Sequence, residues 1–361
     1  MEKKKKEYVR IIVLAVCTFV LMLSAIFSSP ISTWIKKLLF KTDVKICDDE
    51  LVVHFIDVGQ GDASVIAFPN GKTMMIDAGP KSSQNELIEY IRDNINSNTD
   101  NQIIDYLILT HPDADHSGGM CAVFERFDIM NFYRPNIASK DEDLANFVAG
   151  SNVNEYNEVI NTSKYEDGLT TKIINQNYTL NIGNVVVEIF APLRVYSTSN
   201  SMSPVIKISY LDNTLLFAGD IQKDAESDML KQYSTILDAD VLKVAHHGSN
   251  TSSSEQFIAQ VSPLYAVISV GRPNSYGHPS YETIITLQKY NAQIIQTNNN
   301  IIRFSVDDQG VELLDTDVTI SNVFIEWRII AIIVSVVLIL IQVVLIVRLA
   351  RYNNRLIIDK E

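Results

Sequence analysis

The segment Thr110-His111-Pro112-Asp113-Ala114-Asp115-His116-Ser117-Gly118-Gly119 packs two imidazoles and two carboxylates into six residues, directly after the apolar run Leu107-Ile108-Leu109. Side chains of these types at that density repel or desolvate one another unless a cation sits among them. The spacing therefore predicts a site for divalent metal, two ions rather than one. The alternative is a polar loop of solvated carboxylates. The order of strand and then ligand cluster argues against it, because that context is far more specific than the residue types alone.

Four further segments place polar groups just after apolar runs. In Met75-Ile76-Asp77-Ala78-Gly79, Asp77 reads either as a carboxylate that orients a metal-bound histidine from behind or as a turn aspartate. Leu215-Leu216-Phe217-Ala218-Gly219-Asp220 empties a fully apolar strand into Asp220, a carboxylate that could bridge two metals, although Gly-Asp turns are common. Leu242-Lys243-Val244-Ala245-His246-His247-Gly248-Ser249 is stronger. Adjacent residues that continue a strand point to opposite sides, so one of His246 and His247 could bind metal while the other faces substrate. A pair of surface histidines is the alternative. In Asn274-Ser275-Tyr276-Gly277-His278-Pro279, His278 could be a ligand, a proton donor or a plain loop residue. Of the six histidines only His54 is left over. It lies in the first strand and reads as a packed or sheet-surface residue.

Strands must carry these groups. Runs at 51–57, 63–68, 73–76, 104–109, 204–210, 214–218, 239–245 and 266–270 read as strands, with Pro69-Asn70-Gly71 signalling a hairpin. A hairpin through Gly183 is expected over 179–190, and a final pair at 301–306 and 311–314. Helices are expected at 85–94, 141–160, 224–233 and 281–290. Strand pairs with interleaved helices predict an α/β (α+β) domain, two sheets sandwiched between helices in the order αββα.

The chain has 361 residues, 47% of them hydrophobic, and a net charge of −13. Part of that apolar content lies in two end runs, 11–27 and 329–347, each long enough to cross a bilayer. The expected organisation is a transmembrane helix and juxtamembrane segment over 1–45, a domain carrying the ligand segments over 46–320, and a second transmembrane helix with a cytoplasmic tail over 321–361. An uncleaved first helix is expected; a secretory signal peptide after Lys3 to Lys6 is the alternative. Lys3 to Lys6 and Arg10 precede the first run, and Arg348, Arg351 and Arg355 follow the second. This puts both ends in the cytoplasm and the domain outside the cell membrane, with the lipid bilayer as a partner. Lys36, Lys37, Lys41 and Lys45 weigh the other way. Residues 31–40 read as an interfacial helix with Trp34 at the headgroups, or as a linker. The acidic balance counts against a general nucleic-acid clamp, which would need a basic stripe. The three cysteines, Cys17, Cys47 and Cys121, form neither a disulfide framework nor a Cys-type zinc site.

Taken in order, these segments resemble the metallo-β-lactamase superfamily. More narrowly, they resemble the extracytoplasmic hydrolase domain of the competence DNA-uptake (ComEC/Rec2-like) family. Phe55-Ile56-Asp57-Val58-Gly59-Gln60-Gly61-Asp62 is similar to that family's opening motif, and 110–119 to its metal motif. Asn200-Ser201-Met202-Ser203-Pro204-Val205 is similar to its Asn-x-x-Ser-x-Val strand entry. Gly219-Asp220, His246-His247-Gly248-Ser249, Asn274 and Gly277-His278-Pro279 follow in the same order. The resemblance spans roughly 52–314 and implies the αββα metallo-β-lactamase sandwich, flanked here by one transmembrane helix at each end. Two departures from the wider superfamily stand out. Asp113 replaces the second histidine of the usual His-x-His-x-Asp-His, and no histidine lies between His116 and His246. The DNA-uptake branch shares both. Carboxylate in place of imidazole hardens the site, moving its preference from zinc toward manganese or magnesium.

The resemblance implies a membrane-anchored hydrolase, most readily a phosphodiesterase or nuclease, using a hydroxide activated by two divalent ions (manganese or zinc, with magnesium allowed). His111, Asp113 and Asp220 would hold one ion. Asp115, His116, Asp220 and one of His246 or His247, taken as His247, would hold the other. Asp115 is also a catalytic candidate. His246, as the remaining histidine of the pair, or His278 would protonate the leaving group. Ser249 and the Gly248 backbone could hydrogen-bond a phosphate oxygen, while Asp62, Asp77 and Asn274 would support substrate or ligands. The substrate would be nucleic acid or another phosphodiester. Two rivals stand beside this: a hydrolase of a cell-surface phosphodiester or ester, and a non-catalytic binding subunit of a membrane complex, docked on membrane partner proteins through Ser335 and Gln342. Two single spans cannot line a pore, so DNA transport by this chain alone is not expected.

Overall fold

The computed structural model describes residues 50–95, 102–135, 153–298 and 300–318. The two apolar end runs, the 31–40 segment, Cys17, Cys47 and most of the helix expected at 141–160 lie outside the described residues. Among the described residues no helix is long and apolar enough to cross a membrane.

The first half of the chain alternates strands with helices. It runs β1 (Leu51–Phe55), β2 (Ser64–Ala67), β3 (Thr73–Ile76), α1 (Gln84–Asn94), β4 (Ile103–Ile108), α2 (Ala114–Ser117), α3 (Met120–Arg126), β5 (Asp128–Pro135), α4 (Val153–Ser163) and β6 (Thr170–Ile174). The second half runs β7 (Tyr178–Ile182), β8 (Val185–Phe190), β9 (Val205–Tyr210), β10 (Asn213–Phe217), α5 (Lys223–Tyr233), β11 (Val241–Lys243), α6 (Glu255–Val261), β12 (Tyr265–Ile268), α7 (Tyr281–Lys289) and β13 (Gln293–Gln296). Two last strands, β14 (Asn300–Asp307) and β15 (Gly310–Val318), return to the first sheet. The sheet orders are β15-β14-β1-β2-β3-β4-β5-β6 and β13-β12-β11-β10-β9-β8-β7.

Side-chain alternation divides each central strand between two layers. Met74, Ile76 and Ile108 point into the core between the sheets, with Phe55, Phe217, Ile206 and Phe304. Met75, Ile104 and Leu107 point the other way, onto Leu87 and Ile91 of α1, Val123 of α3 and Val159 of α4. On the far side, Leu216, Leu242 and Ala266 meet Met229 of α5, Phe257 of α6 and Leu287 of α7. Both faces of these strands are covered, so their sequences read as unbroken apolar runs. The result is the mixed α/β sandwich of two sheets between helices, within one compact unit, Val44–Val318.

The structure differs from the sequence expectation where elements are short or at an edge. The strand expected over 239–245 is only β11, ending at Lys243. The edge strands β6 and β13, with sequences TTKII and QIIQ, carry polar residues that blunt the edge and mask the strand pattern. Strand β5 and helices α3 and α6 were also not legible in the periodicity.

What matters for chemistry is the polarity of the strands. β3-β4-β5-β6 are parallel in one sheet, and β10-β11-β12-β13 in the other. The loops leaving β3, β4, β10 and β11 carry Asp77, His111 to His116, Asp220 and His246-His247. Ligand sites in open α/β sheets form at these carboxyl ends.

Candidate metal centre

Asp77 opens the site. It leaves β3 in the left-handed region, φ 57°, a conformation costly for a residue with a Cβ. In return its carboxylate accepts from the Thr110 backbone N–H at 2.8 Å, the Thr110 hydroxyl at 2.7 Å and Nδ1 of His116 at 2.8 Å. Nδ1 of His116 is thereby used from behind, and Nε2 faces the cluster. His111 is held likewise, its Nδ1 3.0 Å from the Thr110 hydroxyl and 3.3 Å from that of Ser203. His247 places Nδ1 2.9 Å from the Ser269 carbonyl. In all three rings Nε2 is buried and has no hydrogen-bond partner.

These three nitrogens converge on one atom. Oδ2 of Asp220 lies 3.4 Å from His116 Nε2, 3.5 Å from His247 Nε2 and 4.0 Å from His111 Nε2. Asp115 lies 3.2 Å from His247 Nε2, and Asp113 3.7 Å from His111 Nε2. Donors about 2.1 Å from a shared tetrahedral ion stand about 3.4 Å from one another. Most of these separations exceed hydrogen-bond length and match ligands ranged around an ion. His111, Asp113, Asp115, His116, Asp220 and His247 thus share one cluster. Sets of ligand atoms close enough to share an ion include His111-His116-Asp220 and Asp115-His116-His247.

Charge points the same way. Five carboxylates, of Asp62, Asp77, Asp113, Asp115 and Asp220, meet one buried ammonium, that of Lys243. With neutral imidazoles, four negative charges are left over, the charge of two divalent cations. Without a cation, protons take part of that role. Burial disfavours charge on His116, but Asp220 and Asp77 outweigh it and hold its pKa well above the usual value. Burial likewise disfavours charge on Asp220, and His116, His247 and Lys243 outweigh it to hold that carboxyl well below the carboxylate range. His111, where burial dominates and His116 repels, is pushed down.

Local backbone explains the histidine pair. The strand has ended at Lys243, and His246 and His247 form a tight turn with φ of 51° at both residues. Their rings diverge because of that left-handed turn, not by strand alternation as the sequence suggested. His247 enters the cluster. His246 turns away, with Nε2 3.0 Å from Asn200 Nδ2 and Nδ1 2.9 Å from the Thr251 hydroxyl.

The remaining expected residues fall around the rim or beneath. The His278 ring centroid is 6.5 Å from that of His247 and 5.8 Å from that of His246, and its Nδ1 has no partner. Burial and the charge of His247 lower its pKa. Asn274 does not reach the cluster; its side chain donates to the His278 carbonyl and accepts from Tyr276 N–H. Ser249 pairs with the Thr251 hydroxyl at 3.0 Å, and its carbonyl accepts from Thr283. At Gly248, φ 78°, a Cβ would stand 2.7 Å from Pro279. Gly61 lets the opening motif meet the ligand loop: a Cβ there would stand 2.4 Å from the Asp115 carbonyl, the acceptor for Asp62 N–H. Asp62 itself ion-pairs with Lys243.

Several contributors were missed in the sequence. Lys243 is 3% exposed, in ion-pair contact with Asp62 and 3.6 Å from Asp220 Oδ1, and donates to the Gly219 carbonyl at 3.1 Å. Burial would lower its pKa, but Asp62 and Asp220 raise it above the ordinary value. A lysine inside the run Val241-Leu242-Lys243-Val244-Ala245 was the available signal. Ser199 donates to Asp113 at 2.9 Å. Ser203 touches both His111 and the Asp220 N–H.

This fold and this cluster define a class. The family model of the metallo-beta-lactamase superfamily matches residues 56–272, and the chain belongs to that family. Several relatives carry names of competence or recombination proteins. ComE operon protein 3 of Bacillus subtilis (strain 168) is 27% identical over 262 residues, 69% of this chain and 32% of that protein. Recombination protein 2 of Haemophilus influenzae is 28% identical over 250 residues, 68% of this chain and 27% of that protein. Competence protein ComA of Neisseria gonorrhoeae is 26% identical over 270 residues, 73% of this chain and 34% of that protein. The chain thus spans about a third of the length of these relatives. Among solved structures, the metallo-beta-lactamase fold protein YhfI from Bacillus subtilis shares 10% identity at a TM-score of 0.43, over 69% of this chain and 97% of that one.

Proposed function

We propose that this chain is a membrane-anchored phosphodiesterase that works with two divalent cations, and that its substrate is a polynucleotide outside the cell. One observation carries the reading: three buried, unpartnered Nε2 atoms face the single oxygen Oδ2 of Asp220. Divalent cations bound there supply Lewis acidity, toward a phosphoryl oxygen and toward water alike. The chain supplies the rest. Asp77, Thr110, Ser203 and the Ser269 carbonyl fix the three rings before any ion arrives, so little reorganisation opposes binding. His278 stands beside His247 with Nδ1 unengaged and would carry the proton to the leaving oxygen. His246 has both nitrogens hydrogen-bonded and instead holds Asn200 at the rim.

The relatives named for competence and recombination favour a polynucleotide over other phosphodiesters. This part rests on analogy. Anchoring rests on the apolar runs 11–27 and 329–347 and their flanking basic residues. The hard ligand set, with carboxylate Asp113 where the wider family carries imidazole, favours manganese.

The test is hydrolysis of bis-p-nitrophenyl phosphate by the full-length chain in detergent, with manganese, zinc or no added metal. Manganese-dependent turnover that disappears in Asp220→Asn is expected. No turnover with any cation would overturn the reading in favour of a binding subunit.

A further inference from the structure

Lys243 is a fully charged side chain inside a site built for cations, which calls for a role. It ends β11, paired with Phe217 of β10 on one side and Val267 of β12 on the other. Val241, on the same face of β11, packs in the core between the sheets, so Lys243 projects from that face, where its ammonium meets Asp62. Three groups receive it: the Asp62 carboxylate, the Gly219 carbonyl at 3.1 Å and Asp220 Oδ1 at 3.6 Å. The last contact divides Asp220 in two. Oδ1 faces the ammonium, and Oδ2 faces Nε2 of His111, His116 and His247.

We propose that Lys243 is a positioning residue that keeps Oδ1 of Asp220 away from the metals, so that both cations must share Oδ2. The inference rests on the two-cation reading above and specifies how its bridging group works. A carboxylate free at both oxygens can give one to each of two cations and hold them apart. A buried ammonium beside Oδ1 repels a cation approaching that oxygen, with little water between to screen it. Asp62 locks the ammonium in place: its own N–H is tied to the Asp115 carbonyl at 3.0 Å, and its carboxylate lies 3.7 Å from Nδ1 of His116 and 3.6 Å from Nδ1 of His247. The opening motif and the lysine of β11 thus act together on one oxygen without either touching substrate.

Shared binding through one atom has a signature that a merely structural lysine would not affect. Two manganese ions bridged by a single oxygen atom are more strongly exchange-coupled than two bridged through both oxygens of a carboxylate. The experiment loads the full-length chain in detergent with two equivalents of Mn(II), reads the coupling by low-temperature electron paramagnetic resonance, and titrates the second ion. Wild type should bind two ions as a coupled pair. Lys243→Met should bind the second ion at least as tightly, because a repelling charge is gone, while the coupling of the pair falls because Oδ1 is free to take one ion. Asp62→Asn combined with Lys243→Met removes the buried charge pair together. It supplies the same comparison should the single variant fail to fold. Variants with unchanged coupling would overturn the proposal while leaving the two-cation reading intact, and so would a fall in melting temperature alone. Wild type that binds fewer than two ions would instead sink the two-cation reading, and the proposal with it.

Discussion

At the scale of single residues, Asp77 shows how much of the site lies behind the metal-facing atoms. Its carboxylate serves Thr110 twice and His116 once, all within 2.8 Å. Asp77→Asn should keep the fold but weaken manganese binding by about 10- to 100-fold, the usual cost of losing such an orienting group. Competition against a fluorescent chelator would measure this, and an unchanged affinity would contradict the account. His54 makes a second prediction, away from the metals. It is buried against Tyr90, with Nδ1 2.7 Å from the hydroxyl, and burial followed by the charge of Arg303 lowers its pKa from 6.5 to about 3. An unfolded chain binds that proton more readily, so the group's contribution is full above about pH 6.5 and is lost as the pH falls toward 3. The slope approaches about 1.4 kcal/mol per pH unit. Urea unfolding of His54→Gln should show a shallower loss of stability between pH 6.5 and 5 than wild type; parallel curves would refute it. Residue types near the ligands were legible because imidazoles and carboxylates cluster in sequence at 111–116. The choice between His246 and His247 was not, because it depends on two left-handed φ angles that no side-chain pattern encodes.

At the scale of elements, strand ends do the positioning. β3, β4, β10 and β11 release Asp77, His111, Asp220 and the histidine pair on the same side of the fold because all four take part in parallel pairings. The sandwich must hold these ends in register. Phe217, three residues before Asp220, stacks on Phe55 of the opposite sheet with ring centroids 5.6 Å apart. Phe217→Ala should cost about 3–5 kcal/mol, as buried phenylalanines do, and lower the urea midpoint. A midpoint unchanged from wild type would show that the two sheets do not depend on this contact. The central strands were readable as apolar runs since both of their faces are buried. The edges β6 and β13 were not, because strands that guard an edge carry the polar residues that sequence patterns assign to loops. Lys243 escaped for a related reason: one charge in a three-residue strand does not change the run's apolar character, and only the two loops converging on it reveal what it pairs with.

At the scale of the whole molecule, the fold gathers carboxylates at one end of its sheets, a charge that bound cations would balance. Removing them with a chelator should lower the melting temperature of the full-length chain. Restoring manganese should raise it progressively with concentration, as binding to the folded state alone requires. Differential scanning fluorimetry reads this directly, and a melting temperature insensitive to both would count against a built metal centre. The architecture of two sheets between helices, and the order of the ligand segments along it, could be read from the sequence because each segment sits at the end of an apolar run. The convergence of three imidazoles on one oxygen of Asp220 could not, since it is set by contacts between strands more than a hundred residues apart, such as β4 and β10. The most direct test of the central claim is metal content. The full-length chain and its Asp220→Asn variant, dialysed against manganese and then against metal-free buffer, should be analysed by inductively coupled plasma mass spectrometry. Two ions per wild-type chain, with the variant retaining fewer, is the predicted result. No retained metal in wild type, or equal retention in the variant, would contradict it.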